Sequence, residues 1–236
     1  MAAKRAVITG ASRGIGRATA LELAQHGWDV ALIARSELEL VHLAHEIQEL
    51  GRQAYVFPQD MSQVGELVPL MQRVVQALGG CDLLVNNAGI AHLGNLADTP
   101  LSVWEQVLTV NLTAAFQCIQ GVLPTMRAAG SGTIVNVVSI AGQQVFPQWG
   151  AYCVSKHGLM ALSHTLAQEE RAYGIRVCAL CPGAVDTAIW DTVPAQFDRK
   201  GMMSPQVVAQ TIRQVVELPP EATVETLTLL PQAGVL

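Results

Sequence analysis

Short apolar runs alternate with longer amphipathic ones from one end of the chain to the other. The short runs, Ala6–Thr9, Asp29–Ala34, Ala54–Phe57, Asp82–Asn86, Thr133–Val138, Arg176–Leu180 and Val224–Leu230, predict strands. Several are apolar throughout, which suits strands covered on both faces. The longer runs predict helices near residues 14–26, 36–50, 62–78, 101–128, 150–173 and 205–217. Ser36-Glu-Leu-Glu39 has the form of a capping box, and Gly27, Gly51, Gly79 and Gly174 fall where helices should stop. Strand–helix alternation builds a parallel sheet by right-handed crossovers. The expected architecture is therefore one α/β domain over residues 1–236, a doubly wound seven-stranded parallel sheet with helices on both faces. Ligands of such a sheet bind beyond the carboxyl ends of its strands, near the switch in strand order.

Composition narrows the partners. Half of the 236 residues are apolar and 14% are charged, a globular balance rather than a disordered one. A net charge of -5 offers no electrostatic footprint for nucleic acid. The start, MAAKRAVITG, is basic, but its apolar run ends at Thr9-Gly10, too short for the core of a signal peptide. No stretch looks as long as a membrane span, so a cytoplasmic protein without a membrane partner is expected. Five cysteines, an odd number without framework spacing, read as reduced thiols. Cys178-Ala-Leu-Cys181 matches C-x-x-C but lies in an apolar strand-like run before a Pro-Gly turn, and reads as buried structural cysteine. His42 and His45 sit three apart with no Cys or carboxylate set to complete a metal site, so no metal is expected. His157 and His164 have apolar neighbours and read as packing residues.

Thr9 to Gly16, TGASRGIG, admits two readings. Gly10 to Gly14 fits G-x-S-x-G, the turn that presents a nucleophilic serine. That chemistry takes an oxyanion-hole N–H from a loop after an earlier strand, and only eight residues precede Thr9. The other reading is a glycine loop between the first strand and the first helix, where free N–H groups and the helix dipole meet a pyrophosphate. Its spacing, G-x-x-x-G-x-G, differs from the commonest dinucleotide fingerprint. Arg35 stands at the end of the second strand and Arg13 lies in the loop; a carboxylate at the former position would accept a ribose 2′-hydroxyl, whereas arginine pairs with a 2′-phosphate. The two cations favour NADP(H) over NAD, with a surface role for Arg35 as the plain alternative. Glu37, the nearest carboxylate, reads as a first-turn helix residue.

Tyr152-Cys-Val-Ser-Lys156 sets a phenol and an ammonium at i and i+4 on one helical face. A lysine about 4 Å away at an effective dielectric near 20 is worth up to about 4 kcal/mol, roughly three pKa units, and would bring the phenol toward working range. The pair alone is common by chance.

With a serine, Ser139, thirteen residues before the tyrosine, these features together resemble the short-chain dehydrogenase/reductase family. The resemblance runs through Thr9–Gly16, Asn86-Asn87-Ala88-Gly89, Asn111 in Val110-Asn-Leu112, Ser139, Tyr152 with Lys156, and Pro182-Gly183-Ala-Val185-Asp-Thr187. It implies a Rossmann fold and an NADPH-dependent oxidoreductase acting on a small carbonyl substrate. Tyr152 would be the proton donor, Ser139 a hydrogen-bond donor to the same oxygen, Lys156 the tuner of the tyrosine and ligand of the nicotinamide ribose, and Asn111 the holder of a relay water. The same resemblance gives Gly10, Ser12, Arg13, Gly14, Ile15 and Gly16 to the pyrophosphate loop, and Asp60 with Met61 to the adenine. Asn87, Ala88 and Gly89 go to the adenosine ribose side, and Pro182, Gly183, Val185 and Thr187 to the nicotinamide end. Taken singly, Asp60 reads as a cap and Asn87 as a turn residue. His92, Gln143, Phe146, Trp149 and Trp190 fall on loops expected to rim a mostly apolar substrate pocket, or to pack on the core. The family also implies a homo-oligomer, dimer or tetramer, through the two long helices. Two other readings stay open: a 3-oxoacyl carrier-protein reductase, which should carry basic residues such as Arg127 and Arg171 at the cleft mouth, and a non-catalytic NADP-binding sensor.

Overall fold

In the computed structural model the described residues are 3–192 and 198–234. The strands are β1 (Lys4–Thr9), β2 (Trp28–Ala34), β3 (Ala54–Pro58), β4 (Leu83–Asn86), β5 (Gly132–Val137), β6 (Ile175–Pro182) and β7 (Thr226–Leu229). They form one seven-stranded sheet in the order β3-β2-β1-β4-β5-β6-β7, and every neighbouring pair is parallel. The order reverses between β1 and β4, where a doubly wound sheet opens a crevice.

Helices α1 (Gly14–Gln25), α2 (Glu37–Glu49) and α7 (Pro205–Val216) cover one face of the sheet. The other face carries α3 (Leu67–Leu78), α5 (Ala114–Ala129) and α6 (Gly150–Glu170), with α4 (Leu101–Leu108) running into α5. The strand code explains this division. In β1, Ala6 and Ile8 pack toward α1 and Val7 packs toward α3 and α5, all fully buried, because alternate side chains leave opposite faces. Each fully buried Ile or Leu contributes about 1.5–3 kcal/mol, so a sheet filled on both sides is a stiff platform for its loops.

Three local expectations need correction. Ser36 sits at the N-cap of α2 with extended backbone, but its side chain makes no cap hydrogen bond, so the capping box does not close. The helix expected over 101–128 is interrupted: a π turn, Thr109–Thr113, joins α4 to α5. The whole run Leu101–Ala129 is nevertheless long and apolar enough to cross a membrane by length and composition, contrary to the expectation that no stretch is. Half of its most apolar window is buried within the fold, as suits a core helix.

Candidate active site

The turn after β1 meets the turn after β4 at very short range. Gly10 adopts φ +65°, and a Cβ there would lie 2.9 Å from Ala88 Cα and 2.9 Å from Asn87 Nδ2. A Cβ on Gly16 would come within 2.2 Å of Gly10 O, so only glycine lets α1 start this close to the loop. Asn87 is the pin. Its Nδ2 donates to Thr9 O at 3.0 Å and Gly10 O at 3.2 Å, while Thr9 Oγ1 accepts from the N–H groups of Asn87 (3.0 Å) and Ala88 (3.1 Å). Arg13 occupies the N-cap of α1 and makes no cap hydrogen bond, so it satisfies none of the first N–H groups of α1.

That helix start opens on a cleft of about 720 Å³ above the carboxyl ends of the strands. Gly10, Ser12, Arg13, Gly14 and Ile15 line it from the first turn, Arg35 and Ser36 from the end of β2, and Asp60 and Met61 from the end of β3. Asn87, Ala88 and Gly89 follow from β4, then Ser139, Tyr152 and Lys156, and Pro182, Gly183, Val185 and Thr187 beyond β6. Gly16 and Asn111 stand behind this lining. Ser12 has no histidine beside it in the lining, so nothing there would activate it as a nucleophile. Asp60 accepts the N–H of Ser62 at 2.9 Å, and this bond, with help from the Arg35 charge, holds its carboxyl below the ordinary value.

At the far end α6 brings the phenol and the ammonium together. Lys156 Nζ lies 5.6 Å from the centroid of the Tyr152 ring and donates to Val137 O at 2.8 Å. Lys156 is 4% exposed, and burial lowers its pKa to about 8. Burial also pushes the Tyr152 phenol up to about 12, against a lowering hydrogen bond from Ser139. The expectation that Lys156 lowers the phenol is therefore corrected: burial sets the direction of the Tyr152 shift, upward.

Ser139 is held in an unusual backbone conformation, φ 142° and ψ 160°, a region otherwise occupied by glycine. Such a residue stores about 1–3 kcal/mol of strain, and strain of this kind gathers at functional sites. Its Oγ accepts the Ala141 N–H at 3.1 Å, which leaves the hydroxyl proton to point at Tyr152. Asn111 sits in the π turn, 1% exposed. Its Oδ1 accepts from Ile90 N at 2.8 Å, and its Nδ2 donates to Ile90 O at 2.9 Å and Ser155 Oγ at 3.0 Å. Ser155 Oγ in turn donates to Tyr152 O at 2.7 Å, so the tyrosine's own turn is anchored to the π turn.

Of the residues expected to rim the substrate, Phe146, Trp149 and Trp190 line the cleft, but His92 and Gln143 do not. Gln143 Nε2 donates to Thr228 Oγ1 at 2.9 Å, across to β7, and His92 packs over Gly94. Sequence reasoning missed Ile140, Ile189 and Val110, which also line the cleft. Ile140 was reachable, since it follows Ser139 directly.

Several other candidates resolve as structure. Cys178 and Cys181 lie on opposite faces of β6, and burial raises their thiols to about 12 and about 11. No cluster of three or more metal-ligating side chains occurs among the described residues. His157 Nδ1 contacts Cys153 O at 2.9 Å and His164 Nε2 contacts Thr226 Oγ1 at 2.8 Å.

A cleft with a helix N-terminus and a glycine floor, arginines toward one end and a Ser–Tyr–Lys group toward the other has the layout of an α/β dinucleotide-binding protein. The short chain dehydrogenase family profile matches residues 4–197, and the chain belongs to that family of oxidoreductases. It is 35% identical over 214 residues to the D-beta-hydroxybutyrate dehydrogenase of Rhizobium meliloti (strain 1021), covering 89% of this chain and 82% of that one. It is 37% identical over 183 residues to the 3-oxoacyl-acyl-carrier-protein reductase FabG of Staphylococcus epidermidis, covering 77% and 75%. Among solved structures it resembles an alcohol dehydrogenase from the archaeon Thermococcus sibiricus complexed with 5-hydroxy-NADP. That match has TM-score 0.89 and 32% identity, and covers 96% of this chain and 95% of that one.

Proposed function

We propose that this chain is an NADPH-dependent reductase of ketones or aldehydes, with Tyr152 as the proton donor. One observation carries the reading: Ser139, Tyr152 and Lys156 line one end of a cleft whose other end is lined by Arg13 and Arg35. Arg5, Arg17, Arg52 and Arg213 are tied to Asp82, Glu46, Asp29 and Glu22, but Arg13 and Arg35 have no such partner among the described residues. Two guanidinium groups outside any ion pair among the described residues suit a 2′-phosphate, though Arg35 also acts on the Asp60 carboxyl. The glycine floor, which a Cβ at Gly10 would fill, suits the passage of a pyrophosphate.

The nicotinamide supplies the hydride; the rest falls to the chain. Tyr152 donates its proton to the carbonyl oxygen as charge develops there. The phenol is protonated at neutral pH, and burial, which raises its pKa, makes the tyrosinate it leaves depend on a neighbouring cation. Ser139 turns its hydroxyl proton from Tyr152 to the same oxygen, while its Oγ goes on accepting the Ala141 N–H. Lys156, largely protonated below its pKa of about 8, stabilises the tyrosinate left behind. Both N–H groups of the Asn111 side chain are spent, so a relay water would be held by backbone: a π turn leaves a carbonyl without its usual N–H partner.

A carrier-protein partner is not favoured. Arg127 pairs with Glu170 at the end of α6 and Arg171 with Glu225, at the ends of helices that point away from the cleft. A homo-oligomer is supported by exposed Leu101, Phe116 and Val154 on α4, α5 and α6. A cytoplasmic location accords with five free, buried cysteines.

The test is NADPH oxidation by the purified protein over a panel of ketones and aldehydes, with NADH run beside it. Turnover with NADPH, lost in Tyr152→Phe while NADPH affinity stays, is the expected result. NADPH binding without turnover of any carbonyl, or activity unchanged in Tyr152→Phe, would overturn the reading in favour of a sensor.

A further inference from the structure

The charges lining the cleft are unevenly placed. Among the described residues they are Arg13, Arg35, Glu39, Asp60 and Lys156. Arg35 and Glu39 stand beyond β2 and Asp60 beyond β3, while Ser139 stands beyond β5. Three strand spacings separate β2 from β5, about 14 Å at the usual interval. Lys156 is buried and donates to Val137 O. The lining after β5 and β6 also includes Ile140, Phe146, Trp149, Ile189 and Trp190. Trp149 meets the Tyr152 ring edge-on at 5.6 Å and the Trp190 ring edge-on at 5.9 Å, and Trp190 Nε1 donates to Val185 O at 2.8 Å. A continuous aromatic wall therefore starts at the catalytic phenol. Arg199 is held by Asp186 and Asp191 and does not line the cleft. Residues 193–197, outside the described set, contain no charged side chain.

We infer that the substrate end takes an uncharged carbonyl compound bearing an aromatic group on the carbonyl carbon, and discriminates against the same compound with a free carboxylate. This rests on the reductase reading and adds the substrate class to it. A carboxylate brought beside Trp149 would lose its water and find no cation but Lys156, which lies beyond the Tyr152 ring and already donates to Val137 O, so its burial is costly. An aryl group would gain the edge-to-face contacts that Tyr152, Trp149 and Trp190 already make among themselves. The wall thus selects by charge first and by shape second.

The experiment compares ethyl benzoylformate with benzoylformate, and ethyl pyruvate with pyruvate, as NADPH-dependent substrates of the intact protein. The expected result is kcat/KM for each ester at least ~100-fold above its acid, and for the aryl ester ~10-fold above the alkyl ester, equivalent to about 2.7 and 1.4 kcal/mol. Calorimetric binding of the same four compounds to the NADP+-saturated protein should follow the same order, and this holds even without turnover. Phe146→Arg, on the loop before α6, should raise use of benzoylformate ~10-fold or more relative to its ester. Equal turnover or equal binding of acid and ester would overturn the inference while leaving the reductase reading intact. An ester preference that Phe146→Arg fails to narrow, in a protein that still binds NADPH, would overturn it as well. No turnover of any of the four, with the ester still bound more tightly than its acid, would support this inference and count against the reductase reading.

Discussion

The two ends of the cleft are made of different materials. Where the first helix begins, the surface is mainly backbone: Gly10 and Gly16 allow the turn to close, and Asn87 and Thr9 fasten it to the end of β4. Where Tyr152 stands, the surface is side chains, with Trp149 and Trp190 delivered by loops after β5 and β6. The first kind of surface demands specific residues at fixed spacing and binds what every relative of this sheet can bind. The second kind tolerates any residue that fills the space, so it is where one chain's ligand comes to differ from another's.

The largest effect that would sharpen this contrast is at Tyr152. Tyr152→Phe should lower kcat by ~10²–10⁴ with NADPH affinity within about twofold, measured by steady-state kinetics and cofactor titration. A parallel loss of affinity would mean that the two ends are not separable. Next comes the cofactor end: Arg35→Asp should reduce kcat/KM for NADPH by ~10–150-fold and leave NADH nearly untouched, since a charge-assisted hydrogen bond contributes about 1.5–3 kcal/mol. Equal losses for the two cofactors would show Arg35 to be structural.

Legibility followed the same division. TGASRGIG announced the backbone end because no other residues permit that turn, and the seven apolar runs announced the sheet because both of its faces are buried. At the other end Trp149 and Trp190 could be placed on rim loops, but Gln143 in the same stretch turned away to Thr228, a partner 85 residues distant that no local pattern encodes. Ser36 failed as a cap for a related reason. Its sequence context is that of a capping box, yet its side chain makes no cap hydrogen bond and the residue lines the cleft. The strain at Ser139 was invisible too, because φ 142° in a non-glycine residue is imposed by surroundings and not by propensity.

A third prediction concerns the lysine. Its ordinary pKa of 10.5 falls to about 8 on folding, so between those values the unfolded chain holds a proton that the folded chain does not. Stability should therefore rise as pH climbs from about 8 toward 10.5, by up to about 3 kcal/mol from this group alone. Lys156→Met should flatten that rise and, near neutral pH, gain about 1–2 kcal/mol after the loss of the bond to Val137 O, even as activity falls. Denaturant midpoints across the pH range would show it; an unchanged slope would mean the amine is better solvated than its 4% exposure indicates. The smallest effect belongs to the remote arginines. Arg127→Ala and Arg171→Ala should leave kcat/KM for any carbonyl or thioester substrate within about twofold, since neither is near the cleft.

The π turn between α4 and α5 has one more consequence. A helix that carries a surplus residue keeps count: every position after it is turned back by about 100° and set back by about 1.5 Å relative to an uninterrupted α-helix. Substitution can change what stands at Asn111, but it cannot change that phase. Deleting a single residue anywhere from Thr109 to Thr113 would swing all of α5 against the sheet, taking Cys118, Ile119 and Val122 out of the core together. This stretch of chain should therefore accept changes of letter far more readily than changes of length.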